Sequence, residues 1–264
     1  MEREIWGLDK IRGLFDLTGK VAVVTGGSGA FGHAAARGLA AFGADVVLTG
    51  RTPATLEQSA SDIAECGTRV LPIQCDATDA DKVEATMARV VHEFGHIDIL
   101  VTASGVANRF AAEEFPIDEW QKVMDSLVKG TYLCCQAAGK RMVEQGSGKI
   151  ITVGSIRGEL GHPGGYSAYG TAKGAVHLLT KQLATEWAKY HINVNSIAPC
   201  IFWTPLTQQV LDDPDLYKIF MQRIPWGRAA DPQDFIGATV YLASAASDFV
   251  TGDILMVDGG SLAG

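Results

Sequence analysis

In the segment GYSAYGTAKG, residues 165–174, the phenol of Tyr169 stands four residues before the ammonium of Lys173. A helix sets residues at that spacing on one face, one above the other. A free phenol titrates near about 10, too high for ready proton exchange at neutral pH. A cation one turn away stabilises phenolate and lowers that value towards the range useful in acid–base catalysis. Tyr166 has Gly170 at the same spacing, so it is not the paired phenol and is expected to line a pocket or to pack. Gly170, Thr171 and Ala172 are small enough to leave room for a cofactor against this face. Ser155 follows the run KIITV, at a strand end where its hydroxyl can bond a reacting oxygen. Each residue also has a plain reading, since Tyr–Lys pairs arise by chance on many helices and serines after strands make turns.

The elements needed to bring them together are readable. VAVVT (21–25), DVVLT (45–49), RVLPI (69–73), IDILV (97–101), KIITV (149–153), INVNSI (192–197) and GDILMV (252–257) read as strands. Most are apolar almost throughout, as strands covered on both faces are. Segments with helical spacing separate them, including one long stretch from Pro116 to Gly146 and another over 166–190. This alternation predicts an α/β fold, a single doubly wound parallel sheet of about seven strands flanked by helices.

The first strand runs into TGGSGAFG, residues 25–32. A glycine-rich turn between strand and helix lets the backbone approach a pyrophosphate, whose charge the helix amino terminus favours. Gly26, Ser28, Gly29, Phe31 and Gly32 are therefore candidate cofactor contacts. After the second strand, where an acid would bond a ribose 2′-hydroxyl, the chain has Gly50 and then Arg51. An arginine there accommodates a 2′-phosphate, which favours NADP over NAD. Asp76, with Ala77, stands where it could meet an adenine amino group, or simply make a turn.

The net charge of −8 argues against a nucleic-acid partner. Five cysteines form no CxxC pair, the expectation for reduced thiols in an intracellular protein. No run is long enough to span a bilayer and no His, Cys, Asp or Glu cluster has metal-ligand spacing, so a cytoplasmic, metal-free protein is expected.

Taken together, TGGSGAFG, Ser155, YGTAK and the closing VTGDILMVDGG resemble the short-chain dehydrogenase/reductase family. The resemblance runs from residue 15 to 260 and leaves residues 1–14 as an amino-terminal tail before one domain, 15–264. GYSAYGTAKGAVHLLTKQLATEWA is more loosely similar to gluconate 5-dehydrogenase-like sugar oxidoreductases. The family implies a Rossmann fold and hydride transfer between NAD(P) and a small secondary alcohol or ketone, a sugar or polyol included. It implies Tyr169 as acid–base residue, Lys173 on the nicotinamide ribose, and Ser155 polarising the carbonyl. It further implies cofactor contacts at Thr102, Ala103 and Ser104, carboxamide contacts at Pro199, Ile201 and Thr204, and a homotetramer. Two rival readings are a non-catalytic NADP(H) sensor and a lyase or epimerase on the same fold.

Four departures qualify the match. Ala30 stands at the usual middle glycine, Thr102–Gly105 replaces Asn-Asn-Ala-Gly, and Cys200 follows Pro199 where the family has glycine. Leu127 falls on the asparagine that helps hold a water linking the lysine to solvent, a role left to a main-chain carbonyl if the helix bends there. The segment 202–228 occupies the usual place of a substrate lid, with Phe202, Trp203 and Trp226 as apolar walls and Arg157, His162 and Gln209 as polar contacts.

Overall fold

The structure is a computed structural model describing residues 6–205 and 207–263, with the side chains of Gln209 and Val210 outside that description. Strands β1 (Val21–Thr25), β2 (Asp45–Gly50), β3 (Val70–Gln74), β4 (Ile99–Thr102), β5 (Gly148–Val153), β6 (Ile192–Pro199) and β7 (Ile254–Val257) form one sheet. Their order is β3-β2-β1-β4-β5-β6-β7 and every pairing is parallel. The order reverses between β1 and β4, which opens a crevice beyond the carboxyl ends of those two strands.

Side-chain alternation explains why the strands are apolar throughout. Ala22 and Val24 of β1 enter one core layer with Leu39, Leu48, Phe202 and Phe235. Val21 and Val23 enter the opposite layer with Met87, Leu100, Cys135 and Met142. Both faces of the sheet are covered, so a polar face has no place in these strands. Cys134 and Cys135 belong to the second layer, where burial pushes the Cys135 thiol up to about 12.

The covering helices are α2 (Ala30–Ala41), α3 (Pro53–Ala64), α4 (Ala80–Phe94), α5 (Ile117–Met124), α6 (Gly130–Gln145), α7 (Ser167–Trp187) and α10 (Ile236–Ala243). Asp79 caps α4 through the Lys82 amide, and Gly95 ends it in the left-handed region at φ 90°. Short helices α8 (Gln208–Leu211) and α9 (Pro214–Met221) lie in the segment expected to cover the site, and α1 (Leu8–Arg12) lies in the amino-terminal tail. The stretch 116–146 departs from a plain helix, because a π-turn at Asp125–Lys129 joins α5 to α6. Leu127, on that turn, is buried with Val123, Ala168 and Ala172. A Cβ on Gly105 would meet its Cδ2 at 2.3 Å, so the leucine packs on the loop after β4.

The glycine-rich turn is sterically committed. Gly26 sits at φ 63°, and a Cβ on Gly32 would meet the Gly26 carbonyl oxygen at 2.1 Å. Ala30 opens α2 directly after its N-cap Gly29, so its methyl group fits the first turn without disturbing the helix. Gly32→Ala is expected to destabilise the fold by about 1–3 kcal/mol through overpacking, measured by urea denaturation. Gly237→Ala, where a Cβ meets nothing within 4 Å, should be neutral or stabilising by about 0.5–1 kcal/mol.

Candidate active site

Tyr169 and Lys173 lie on α7, and both face the end of β5. The Lys173 ammonium donates to the Val153 carbonyl at 2.5 Å and sits 5.6 Å from the centre of the Tyr169 ring. Ser155, two residues past Val153, is buried and its hydroxyl hydrogen-bonds the Tyr169 phenol. The same hydroxyl accepts from the Arg157 amide at 3.2 Å and makes a long 3.5 Å contact with the Pro199 carbonyl. The three side chains expected to do chemistry thus meet in one place.

One electrostatic expectation is reversed. Burial pushes the Tyr169 phenol above its ordinary value, and the hydrogen bond from Ser155 offsets this only in part. Desolvation wins because Lys173 spends its ammonium on a main-chain carbonyl rather than on the phenolate. Burial also lowers Lys173 itself, to about 8.

Two guanidinium groups gather over the Tyr166 ring. Tyr166 packs edge-on against Tyr169, ring centres 5.9 Å apart. Arg109 and Arg157 lie over the Tyr166 ring at 5.4 and 5.7 Å, and an Arg109 amine is 3.3 Å from the Tyr166 hydroxyl. His162 packs on Tyr166 and stacks on Phe220. Burial lowers the His162 pKa, and the charges of Arg157, Arg223 and Arg109 lower it further. Among the described residues the arginine ion pairs belong to Arg12, Arg141 and Arg228, and none to these three. An unneutralised cationic arch of this kind suits an anionic ligand.

The expected nucleotide floor assembles at the crevice. Gly26 and Gly32 provide close backbone approach, and Ser28 and Gly29 are exposed at the amino terminus of α2. Phe31 contributes only main chain there, since its ring is packed at 5.0 Å from both Phe202 and Phe235. Thr102, buried at the end of β4, has a hydroxyl without a partner among the described residues, and Ala103 lies against Gly26. Ser104 is held by Thr25 through hydroxyl and amide. Arg51 is exposed at the end of β2, where its carbonyl accepts from Gln74. Asp76 makes the turn: one carboxylate oxygen accepts from the Thr78 amide and hydroxyl, which holds its pKa low, with Arg51 adding to the effect. Ala77 is half-buried beside it.

On the other side, β6 ends at Pro199, and Ile201 pairs through its carbonyl with Ala230. The Thr204 hydroxyl and amide both contact Thr207. This open glycine cradle, with an orphaned buried hydroxyl at Thr102, fits a dinucleotide. Among the described residues no cluster could hold a metal ion, and no helix is long and apolar enough to cross a membrane.

Two expected wall residues lie elsewhere. Phe202 is fully buried in the core, because it closes the aromatic cluster with Phe31 and Phe235. Trp226 projects outward beside a cavity of about 240 Å³ that it lines with Cys200 and Arg228. Trp203 stacks on Tyr217 of α9. Arg109, Arg223, His177 and Glu159 were not legible as site residues, because only the fold brings them to it.

Known proteins share this fold over nearly the whole chain. A family model described as enoyl-(acyl carrier protein) reductase, of the short-chain type, matches residues 27–261. The chain is similar to gluconate 5-dehydrogenase of Gluconobacter oxydans, 38% identical with 94% of this chain and 96% of the relative covered. It is 41% identical to 2-dehydro-3-deoxy-D-gluconate 5-dehydrogenase of Escherichia coli, covering 94% of this chain and 98% of that one. Among solved structures, a gluconate 5-dehydrogenase from Burkholderia cenocepacia in complex with NADP and tartrate superimposes with a TM-score of 0.91, at 35% identity, over 95% of this chain and 98% of that one.

Lys173 yields a pH-dependent test. Its folded pKa, about 8, lies below the ordinary 10.5, so the unfolded chain binds more protons between those values. The cost of burying the charge is full below pH 8 and disappears as pH rises towards 10.5. Relative to Lys173→Met, wild-type stability should rise across that window by a few kcal/mol at most, read from denaturation midpoints at stepped pH. A flat difference would overturn the assignment.

Proposed function

The chain belongs to the short-chain dehydrogenase/reductase family and is an NAD(P)-dependent oxidoreductase acting on CH–OH groups, and on that premise we propose that it interconverts the hydroxy and keto forms of a small sugar acid. The observation that carries the acid is the pair Arg109 and Arg157 over the Tyr166 ring, beside Tyr169, with the charge of Arg223 reaching His162 and Arg157 and no carboxylate paired to any of the three among the described residues. Support also comes from relatives named gluconate 5-dehydrogenase and 5-keto-D-gluconate 5-reductase. The same names count against a sensor, a lyase or an epimerase.

Bound nicotinamide dinucleotide would supply or accept the hydride. In reduction Tyr169 gives its phenolic proton to the oxygen of the new alcohol; in oxidation the phenolate takes the hydroxyl proton back. Ser155 bonds that oxygen and steadies the charge developing on it. Lys173, anchored on the Val153 carbonyl, would hold the nicotinamide ribose. The π-turn at Asp125–Lys129 answers the leucine at 127: a widened turn lets a carbonyl leave the helical ladder and take a water. Gly26, Ser28, Gly29, Gly32 and the Phe31 main chain would hold the pyrophosphate. Asp76, Ala77 and Thr102–Ser104 would hold the adenosine and ribose, and Pro199, Ile201 and Thr204 the carboxamide.

Arg51, exposed and without an acidic neighbour on its strand end, favours NADP over NAD, as do relatives solved with NADP. A homotetramer in the cytoplasm completes the reading, with residues 15–264 as the catalytic unit. Tyr132 on α6 and Leu178 on α7 are 42% and 67% exposed, suited to a symmetric contact, and the five cysteines are unpaired.

Reduction of 5-keto-D-gluconate by NADPH, followed by nicotinamide absorbance, is the direct test. Tyr169→Phe should lower kcat by about 10²–10⁴-fold while NADPH still binds. Arg157→Ala should raise KM for the acid by roughly tenfold or more and leave a neutral ketose unaffected. Equal effects on both substrates would remove the sugar-acid assignment. Separately, Arg51→Ala should weaken NADPH by about 1–3 kcal/mol more than NADH in titrations.

A further inference from the structure

Tyr169, Lys173 and His177 follow one another at four-residue spacing, so α7 directs all three along one stripe. His177 is 3% exposed and lies under the turn that carries Ser155. Its Nε2 accepts from the Ser155 amide at 3.4 Å, and its Nδ1 is 2.9 Å from Glu159 Oε1. An amide can only donate, so Nε2 must present its lone pair. The ring proton then sits on Nδ1 and is donated to the Glu159 carboxylate. The turn rests directly on this ring. A Cβ on Gly154 would meet His177 Nε2 at 2.3 Å, and one on Gly158 would meet its Cε1 at 2.6 Å.

We propose that His177 and Glu159 form a positioning pair, an imidazole held in one tautomer by a carboxylate, which sets the main chain of Ser155 and thereby aims its hydroxyl at the substrate oxygen. Arg157 lies on the same turn and donates its amide to the Ser155 hydroxyl, so the pair governs the anion-binding guanidinium as well. The glycines at 154 and 158 are the sequence counterpart of this arrangement: only a residue without a side chain lets the turn settle onto the ring. Burial keeps His177 neutral, with Glu159 drawing its pKa upward and Lys173 and Lys181 opposing. The inference rests on the oxidoreductase reading above and on Ser155 having a role in it.

The test uses the intact protein with 5-keto-D-gluconate and NADPH. His177→Leu should lower kcat by about tenfold or more with NADPH affinity unchanged. His177→Gln, whose amide oxygen can accept from the Ser155 N–H, should recover most of that loss. Glu159→Ala, on the exposed side of the ring, should lower kcat severalfold without altering the melting temperature, so the test survives if His177→Leu fails to fold. A glutamine variant as impaired as the leucine one, or a Glu159→Ala enzyme at full rate, overturns the proposal. Ser155→Ala run in parallel separates the two readings: full activity there rejects the role of Ser155 itself. Nitrogen-15 spectra of histidine-labelled protein give a readout without turnover. A protonated Nδ1 with a bare Nε2 on His177 supports the pair, and the opposite tautomer rejects it.

Discussion

A single charged hydrogen bond, from the Lys173 ammonium to the Val153 carbonyl, fixes helix α7 against the end of strand β5. Its strength follows from where it lies. Both groups are out of water, where leaving the ammonium unpaired would cost far more than the bond gains. With Val153 held, Ser155 falls two residues further along and Tyr169 one turn back, so the spacing of the site is set by one strand end and one helix face. The same burial has an electrostatic consequence. It takes the ammonium down to about 8 and the phenol up, which separates two groups whose proton affinities nearly coincide in water.

Much of this was written locally and could be read. The seven strands appear in the sequence as short β-branched runs, and their observed bounds differ by only a residue or two, as with β4 at Ile99–Thr102 against the expected 97–101. The glycine-rich turn and the Tyr–Lys spacing are local too. What could not be read depends on distance in the chain. Arg157 could be picked out beside Ser155, but Arg109 and Arg223 are ordinary arginines until the loop after β4 sets one over Tyr166 and the segment after β6 brings the charge of the other to His162. The rise of the Tyr169 pKa is likewise a property of burial, which spacing does not encode. Periodicity also failed to register the π-turn, because widening a helix by one residue shifts its apolar stripe only slightly.

The departures from the family pattern have structural answers of different kinds. Ala30 begins a helix whose cap is already provided by Gly29, so its methyl group is a helix-forming choice. Thr102 keeps a hydroxyl at the buried end of β4, without a partner among the described residues. Leu127 exchanges a polar side chain for apolar packing on Gly105, Ala168 and Ala172, and so moves the polar work onto the main chain. In each case the sheet and the α7 stripe are unchanged and the adjustment is confined to the elements around them.

The aromatic trio of Phe31, Phe202 and Phe235 links two ends of the crevice that are far apart in sequence. Phe202 is also bridged to Ala230, so both feet of the intervening segment, 203–229, are stapled together on the rigid floor. The two ends of that segment therefore share one anchor with the helix that opens at the glycine-rich turn. A substitution that loosened this cluster would disturb the segment's footing and the start of α2 together.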